Sequence, residues 1–341
     1  MDRKGKIKLA HGSGGALMHE LIEELIVPAI GNPILGELED AAAIADLGGH
    51  RIDGGMLAFT TDSYVVQPLF FPGGDIGTLA VAGTVNDLAV KGARPLYLTL
   101  GLIVEEGLEV ADLERVLASI AATAGRAGVA IAAGDTKVVE HGSVGGLMVN
   151  TAGIGVIPEG REISARRVIE GDAVIVSGTI GDHETAILVA REELKLEETI
   201  ESDCAPLADL VEVVLGACPD VHVMRDPTRG GLGTTLNEIA SRAGVGITIE
   251  EGAIPIARKV HAVCEILGFD PIYMANEGKV IVVAPADAAD AIVKAMRGHP
   301  LGRNAAVIGS AGGRQGVFLR TTVGGVRPVL MLEGVQLPRI C

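Results

Sequence analysis

The sequence contains very few aromatic residues. Its 341 residues include no tryptophan, three tyrosines and five phenylalanines. Basic residues are also scarce, because 28 lysines and arginines stand against 44 acidic residues, which gives a formal charge of −16. An acidic surface repels phosphate, and few aromatic side chains are available for base stacking. These scarcities argue against nucleic acid as a general partner, although an anion can still bind through backbone N–H groups, metal ions or a few local cations.

Long apolar segments and cysteine pairs are missing as well. No apolar run reaches the ~18 residues of a membrane-spanning helix, and the charged start at residues 1–6 is not followed by the apolar core of a signal peptide. No C-x-x-C pair occurs among the four cysteines, which are Cys204, Cys218, Cys264 and Cys341. This pattern does not resemble a disulfide framework and favours a reducing compartment. We therefore expect a cytoplasmic protein with no membrane partner.

Glycine, by contrast, is abundant, with 47 residues, about twice its average share. Apolar spacing of helical and strand type alternates along the whole chain and predicts two related α+β units. We place the first domain at 1–158, the second at 159–331, and a tail without periodicity at 332–341. The predicted helices are 16–30, 76–91, 108–127, 182–191, 206–217, 233–243, 257–267 and 286–297. The predicted strands are 56–62, 97–104, 129–133, 147–157, 173–177, 245–250, 279–284, 305–309 and 317–323.

Standard nucleotide and hydrolase motifs are absent from the sequence. Neither the P-loop pattern nor G-x-G-x-x-G occurs, and G-x-S-x-G is missing too. The H-E-x-x-H pattern of zinc proteases is absent, because Ile187 stands where the second histidine after His183-Glu184 would be. The chemistry must therefore come from another set of residues.

Four aspartates stand in unusual settings. Asp62 ends a predicted strand, Asp87 interrupts an apolar helix, Asp135 follows another strand, and Asp40 lies in a Glu-Asp-Ala run. Taken singly, each is explained by helix capping or a turn. Taken together, they predict a Mg²⁺ site, because hard cations take carboxylate oxygens and join them to nucleotide phosphates.

Other residues complete a candidate phosphate site. Gly12–Gly15 before the first helix suits a phosphate lid, since glycine lets N–H groups turn outward and the helix N-terminus attracts anions; a flexible loop is the alternative. Lys137 can neutralise phosphate or reach a reacting group, or it is a surface lysine. The run around Arg225 suits a substrate or phosphate contact, or the loop that starts a helix.

Cys341 stands last in the sequence and has few neighbours along the chain. It does not match prenylation, which needs the cysteine fourth from the end. We expect a mobile thiol that carries a group between sites; chance is the alternative.

Several of these runs together resemble the HypE family of hydrogenase maturation proteins, within the superfamily of aminoimidazole ribonucleotide synthetase, selenophosphate synthetase and thiamine-monophosphate kinase. The matching runs cover nearly the whole chain, and the Pro-Arg-Ile-Cys end is the most specific. One departure is Glu39-Asp40, where relatives often carry two aspartates. The runs are 61–66, 70–77, 83–90, 134–139, 225–231 and 338–341.

The resemblance implies a PurM-like, two-domain α+β fold that forms a homodimer through the N-terminal sheet. It implies ATP and Mg²⁺ as cofactors, HypF as the partner that delivers a carbamoyl group to Cys341, and the HypC–HypD complex as the recipient. ATP-dependent dehydration then turns the carbamoyl group into a thiocyanate, whose cyanide goes to the iron of [NiFe] hydrogenase.

Carried onto this sequence, the resemblance and the motifs assign three groups of residues. The catalytic set is Cys341 with the base pair Glu277 and Lys137. The ATP-binding set is Gly12, Ser13, Gly14, Gly15, Asp62, Ser63, Tyr64, Asn86, Thr136 and Arg225. The metal ligands are Asp40, Asp62, Asp87 and Asp135.

Two other functions remain open at this point. A small-molecule kinase or synthetase of the same superfamily leaves Cys341 unexplained. A non-catalytic thiol carrier for the maturation machinery leaves the aspartates unexplained.

Overall fold

The computed structural model describes residues 6–47, 54–192, 199–332, 334 and 340–341. It contains two large β-sheets, one in each half of the chain, and both carry helices. The predicted α+β fold of two units is confirmed. In the described part of the chain, no helix is both long and apolar enough to cross a membrane.

The N-terminal sheet has five strands in the order β1-β2-β7-β5-β6. All neighbouring pairs are antiparallel except β5 and β6, which run parallel. A small hairpin, β3 and β4, precedes the central helix of this half. The strands are β1 (Ala42–Ile44), β2 (Gly55–Tyr64), β3 (Phe70–Phe71), β4 (Gly74–Asp75), β5 (Arg94–Glu105), β6 (Ala130–Val139) and β7 (Leu147–Pro158).

One helix, α3 (Ile76–Val90), lies at the centre of this half. Every residue of it except Asp87 is buried, as expected for a helix that is apolar on all sides. Its start is capped by Asp75, whose carboxylate accepts a hydrogen bond from the Thr78 N–H at 2.9 Å. Gly92, with a φ of 80°, follows the end of the helix in the left-handed conformation that glycine tolerates best.

The other helices of this half lie around the sheet. Residues 16–30 form one continuous helix, as predicted, with a π-helical turn at Ile22–Ile26 in its middle. The long amphipathic helix α4 packs beside α3. The segments are α1 (Ala16–Leu21), α2 (Val27–Ile30) and α4 (Val110–Ala127).

The C-terminal sheet has seven strands in the order β14-β13-β10-β12-β8-β11-β9. Only β10 and β13 are parallel neighbours. The strands are β8 (Ala173–Val176), β9 (Val223–Arg225), β10 (Ile247–Glu250), β11 (Ile281–Ala284), β12 (Ala306–Ala311), β13 (Val317–Arg320) and β14 (Val326–Val329). The helices are α5 (Asp182–Arg191), α6 (Ala208–Ala217), α7 (Gly231–Ala243), α8 (Arg258–Leu267) and α9 (Ala289–Arg297). Short 3₁₀ turns are Leu9–Gly12, Leu35–Glu37, Ala165–Arg167, Glu251–Ala253, Pro271–Tyr273, Ala286–Ala288 and Pro300–Gly302.

Helix α3 also joins the two halves, since it contacts α6 and β9 of the C-terminal half. Asn86 makes this junction polar. Its side-chain amide donates to the carbonyls of Ala205 and Glu277, and its oxygen accepts from the Leu207 N–H at 2.7 Å. The acidic end of β9 and the Asp87 turn of α3 are thereby held against each other.

The strand predictions differ from the structure in two ways. The predicted strand 129–133 continues through Asp135 to Val139, so Asp135 lies within β6 and does not follow it. Five short strands, β1, β3, β4, β9 and β14, were not predicted, because two to four residues are too few for a period-2 pattern to stand out.

Candidate functional site

The site begins with three aspartates that converge from distant parts of the chain. Ligand oxygens of Asp40, Asp87 and Asp226 lie within 4.8 Å of one another. Asp40 comes just before β1, Asp87 projects from α3, and Asp226 directly follows β9. The Thr60 hydroxyl lies 2.9 Å from both Asp87 Oδ2 and the Asp40 carbonyl, so β2 holds the two segments together.

These carboxyl groups are strongly perturbed. Burial raises the pKa of Asp40 to about 6, and Arg225 opposes the rise. Burial, followed by the charge of Asp40, raises the pKa of Asp226 to about 7. The pKa of Asp87 is raised well above its usual value by burial and then by Asp226 and Asp62. Crowded carboxylates of this kind favour a bound cation, because a cation removes both the repulsion and the desolvation penalty.

A cavity of about 420 Å³ adjoins this acidic cluster. Its walls come from both halves of the chain and from the first helix, and they include Gly14, Met18, Arg229 and Glu238. Asp62 also lines it, 3.9 Å from the Arg229 guanidinium. The cavity therefore offers carboxylates, three arginines (Arg225, Arg229 and Arg242) and a glycine turn to one ligand.

Arg225, predicted to bind ATP, is already engaged by carboxylates. Its Nε lies 2.6 Å from Asp40 Oδ2 and its Nη2 lies 2.8 Å from Glu238 Oε2. Both partners raise the pKa of the guanidinium against the effect of its burial. Arg225 lines the cavity, and its direct partners within the chain are acidic groups. Arg229, four residues later, is the less tightly paired of the two arginines.

The predicted glycine lid meets the site through Gly14. Its φ is +77°, and a Cβ there would lie 2.6 Å from the Arg229 carbonyl oxygen, so a side chain at this position is excluded on both counts. Gly15 packs on the carbonyl of Leu332, which also accepts from the Ala16 N–H at 2.7 Å. The Gly12 carbonyl faces Arg229 at 3.4 Å, and the Ser13 hydroxyl donates to Ala10.

A second, smaller cavity joins Cys341 to Glu277. Both residues line it together with Asp62, Ser63 and Arg229. Glu277 is 2% exposed, and its Oε1 has no hydrogen-bond partner in the described part of the chain. Burial, followed by the charge of Asp226, raises the pKa of this carboxyl well above its usual value. Glu277 is therefore a buried carboxyl with a raised proton affinity that lines the cavity of Cys341 with an oxygen unpaired among the described residues, which makes it a candidate for acid–base chemistry.

The Cys341 side chain is partly buried in this position. Burial raises its pKa well above the usual value, and the nearby Arg229 guanidinium opposes the rise. Of the predicted tail 332–341, residues 333 and 335–339 lie outside the described part of the chain, so the predicted mobility of the tail stays a prediction. Ile340 is buried in the hydrophobic cluster that includes Phe71 and Leu79, and Cys341 packs against the same cluster.

The Glu277 loop is held by one buried acid. Asp203 accepts hydrogen bonds from the backbone N–H groups of Glu277 and Gly278, at 3.0 and 3.2 Å. Lys279 donates to the same carboxylate at 2.9 Å, and this positive charge lowers the pKa of Asp203 against the effect of its burial. The loop before β11 thus presents Glu277 in one orientation.

Two predicted ATP-binding residues have contacts inside the protein. The Tyr64 hydroxyl lies 3.2 Å from the Thr84 hydroxyl and rests against Gly83, where a Cβ would come within 2.3 Å of it. Asn86 is fully buried and uses its amide at the junction of the two halves. In this structure both side chains make their contacts within the protein and support the site indirectly.

Within one chain, Asp135, Thr136 and Lys137 do not join the site. Asp62 pairs with the buried Thr151 of β7, whereas Asp135 pairs through Gly101 with the neighbouring, exposed Asn150. Successive residues of a strand point to opposite faces, so Asp62 and Asp135 lie on opposite faces of the sheet and three strands apart. All three predicted residues are exposed on the edge strand β6.

Sequence reasoning missed two members of the cluster. Asp226 lies in a run that was singled out only for its arginines, and Thr60 lies in a strand that was singled out only for Asp62. Asp62 was identified because it ends a predicted strand, whereas Asp226 follows the three-residue strand β9, which was not predicted, so the same signal was not available for it.

Comparison with known proteins gives a consistent family. Residues 38–157 match the family model of AIR synthase related protein, N-terminal domain, and residues 170–321 match that of its C-terminal domain. A protein of Cupriavidus necator named carbamoyl dehydratase HypE is 51% identical over 341 residues, covering 99% of this chain and 96% of its own.

Two solved structures are similar over most of their length. A HypE–HypF complex has a TM-score of 0.86 at 46% identity, covering 92% of this chain and 99% of the other. A hydrogenase maturation protein HypE in complex with ATP has a TM-score of 0.81 at 48% identity, covering 97% and 98%.

Proposed function

This chain belongs to the HypE family of carbamoyl dehydratases, and from that premise we propose that it uses ATP to dehydrate a carbamoyl group carried on its own Cys341. The role is in hydrogenase maturation, with ATP as the co-substrate and HypF as the partner that loads the thiol. The product is an enzyme thiocyanate, whose cyanide passes to the iron of [NiFe] hydrogenase on the HypC–HypD complex.

The observation that carries this proposal is the position of Cys341. It lines one cavity with Glu277, and that cavity shares Asp62 and Arg229 with the larger one beside the acidic cluster. A group attached to the sulfur therefore lies between a base and a phosphate-binding region. A non-catalytic thiol carrier needs neither the base nor the acidic cluster.

The first step is phosphorylation of the loaded carbamoyl group. Its carbonyl oxygen attacks the γ-phosphorus of ATP, the bond to the β-phosphate oxygen breaks, and ADP leaves. Phosphoryl transfer depends on positioning and on charge stabilisation. Arg229 supplies a fixed positive charge at the cavity wall, and Gly14 leaves room for phosphate oxygens to approach the backbone.

The second step forms the C≡N bond. Glu277 accepts one proton from the nitrogen as the oxygen is phosphorylated. The C–O bond then breaks, its electron pair leaves with the phosphate, and the second N–H proton goes to the departing phosphate. A base contributes typically 10²–10⁴-fold to such a step. Burial raises the pKa of Glu277, and so the carboxylate binds the proton that it accepts more strongly.

The acidic cluster suits Mg²⁺. Asp40, Asp87 and Asp226 would hold the ion, and Asp62 lines the same cavity. A bound Mg²⁺ neutralises charge on the transferred phosphoryl group. The three carboxyls lie close together and are largely buried, and burial is the main cause of their raised pKa values; this burial of adjacent acids is the observation that supports a cation here.

A second copy of the chain would bring β6 to the site. Asp135 and Lys137 lie on the sheet face opposite to Asp62, with Thr136 between them on the edge strand, and apolar Phe59 and Tyr97 are 43% and 49% exposed on the same face as Asp135 and Lys137. An exposed apolar sheet face next to an unpaired edge strand favours association. We infer a homodimer in which Lys137 reaches the site of the partner and tunes its glutamate.

The test is a loading experiment in two stages. HypF and carbamoyl phosphate first load the chain, which is then purified and given ATP and Mg²⁺, and the C-terminal peptide is followed by mass spectrometry. We expect a carbamoyl adduct on Cys341 that loses water only with ATP, and no adduct in Cys341→Ala. Cys264→Ala is the matched control, since Cys264 is buried in a separate cluster. No adduct on the wild type would overturn the proposal, and an adduct that never consumes ATP would leave the carrier function.

A further inference from the structure

The end of the chain is held at its main chain by a buried histidine. The Nε2 atom of His183 lies 2.8 Å from the carbonyl oxygen of Ile340. His183 is fully buried in the first turn of α5. It lies outside the acidic cluster, and the reaction outlined above does not use it.

The chemistry of the two partners determines the proton position. A carbonyl oxygen can only accept a hydrogen bond, so Nε2 must carry a proton and donate it. Burial lowers the pKa of His183, which favours the neutral ring with an unprotonated Nδ1. That nitrogen lies 2.7 Å from the Ser202 hydroxyl, which therefore donates to it.

Ser202 is itself orientated by the backbone. Its oxygen accepts a hydrogen bond from the Cys204 N–H at 3.0 Å, which leaves the hydroxyl proton for His183. The Phe71 ring meets the imidazole edge to face, with 5.6 Å between the ring centroids. A chain of three hydrogen bonds and one aromatic contact thus fixes both the tautomer and the orientation of the ring.

The same segment is also held by packing. The Ile340 side chain is 7% exposed and belongs to a cluster that includes Phe71, Ile187 and Ala275. A buried side chain and a main-chain hydrogen bond at the same residue restrict where the next residue can lie. The next residue is Cys341, beside Glu277.

We propose that His183 is a positioning residue that holds the loaded tail in the site by donating its Nε2–H to the Ile340 carbonyl. The inference rests on the proposed function, in which Cys341 carries the reacting group. Recognition through the main chain and the residue before the cysteine leaves the thiol free to carry any of the groups formed in the cycle.

This contact also sets how often the tail leaves. The docked thiol is partly buried and lines a small cavity with Glu277, while Ile340 is packed in the core, so we expect a transferase to load Cys341 when the tail is undocked. The His183 bond has to break in that movement. Loss of the bond therefore shifts the equilibrium of the tail towards its undocked position, which speeds loading of Cys341 and slows the ATP-dependent step.

Two variants of similar shape test the hydrogen bond. His183→Met fills the buried space but has no donor, whereas His183→Gln keeps an N–H near the position of Nε2. We measure the rate at which a thiol reagent modifies Cys341, identified as its own peptide by mass spectrometry. We expect roughly a fivefold or larger increase for H183M, as for loss of one buried hydrogen bond, and a rate near that of the wild type for H183Q.

Further readouts separate positioning from folding and from the reaction itself. Modification of buried Cys264 and the melting temperature report whether H183M is folded; a folded H183M with the wild-type Cys341 rate overturns the proposal. If H183M fails to fold, the same measurement on Ser202→Ala decides: we expect a faster Cys341 rate, and an unchanged rate would contradict the proposal.

The dehydration reaction gives a separate readout. With Cys341 preloaded, single-turnover dehydration slows in H183M and recovers in H183Q. A preloaded wild type that does not dehydrate contradicts the proposed function, while the labelling rates still test the His183 contact.

Discussion

Arg225 Nε lies 2.6 Å from Oδ2 of Asp40 in the wall of the larger cavity. Both side chains are largely buried, at 11% and 14% exposure. The pair therefore places one permanent positive charge inside a cluster of aspartates, where it opposes the rise in the pKa of Asp40 that burial causes.

We predict that Arg225→Met destabilises the protein by about 3 kcal/mol in the absence of divalent ions, because it leaves buried carboxylates without their partner. Mg²⁺ should restore more stability to this variant than to the wild type. Urea unfolding with EDTA and with Mg²⁺ measures both effects. Arg320→Met, which breaks the exposed ion pair with Glu250, is the control and should cost at most about 1 kcal/mol. Equal losses in the two variants would contradict the role of Arg225.

Asp226→Asn should weaken divalent-ion binding roughly tenfold or more, since the charge and number of oxygen ligands set affinity for hard cations. The same change should raise stability in EDTA, because it removes one of three repelling carboxyls. Calorimetric titration with Mg²⁺ or Mn²⁺ and thermal melting are the measurements. Asp290→Asn, at an exposed position of α9, should change neither. Wild-type ion affinity in Asp226→Asn would remove Asp226 from the metal site.

Glu277→Gln should slow dehydration of preloaded Cys341 by roughly 100-fold or more, because the base is lost while the shape is kept. Loading by HypF and binding of ATP should stay near the wild-type level. Single-turnover mass spectrometry of the C-terminal peptide follows the reaction. Glu265→Gln, at an exposed site on α8, serves as the control. Dehydration at the wild-type rate in Glu277→Gln would assign the base elsewhere.

Two inactive variants should complement each other if β6 completes the site of a partner. Asp87→Asn removes a cluster carboxylate, and Lys137→Ala removes the proposed contribution of the second copy. After co-expression, roughly a quarter of the wild-type rate should return, because half of the dimers are mixed and one of their two sites is intact. Each variant alone should stay inactive. No recovery, with mixed dimers demonstrated by mass, would place Lys137 outside the partner site.

Acid stability should depend on Glu105 at the end of β5. Its carboxylate accepts backbone N–H bonds from Gly142, Val144 and Gly145 at 2.7–2.9 Å, and these bonds, led by that of Gly142, lower its pKa to about 2 from 4.5. A pKa that is lower in the folded state stabilises the fold above the unfolded value and loses that effect as the pH falls. Urea unfolding between pH 5 and pH 2 should show a flatter pH dependence for Glu105→Gln than for the wild type. Parallel curves would contradict this origin.

Local patterns predicted the elements that build the site. The long amphipathic helix α4 and the continuous helix 16–30 follow from apolar spacing alone. Asp62 and Asp87 were identified because a carboxylate is conspicuous at a strand end or in an apolar helix, and Asp40 because it lies in a Glu-Asp-Ala run. Asp135 was placed wrongly at the end of its strand, since a Gly-Asp-Thr run favours a turn and only pairing with β5 keeps it extended.

The sequence by itself determined the family, the two α+β units, the candidate nucleotide chemistry and the importance of Cys341, because these depend on residue types and on spacing along the chain. Only the tertiary structure decided that Asp226 completes the cluster, that Arg225 is paired with Asp40, that Lys137 faces away from its own site, and that His183 holds Ile340. Such contacts join segments far apart in the chain. Strand order and the packing of α3 against the second half bring these segments together, and neither can be predicted from a local sequence pattern.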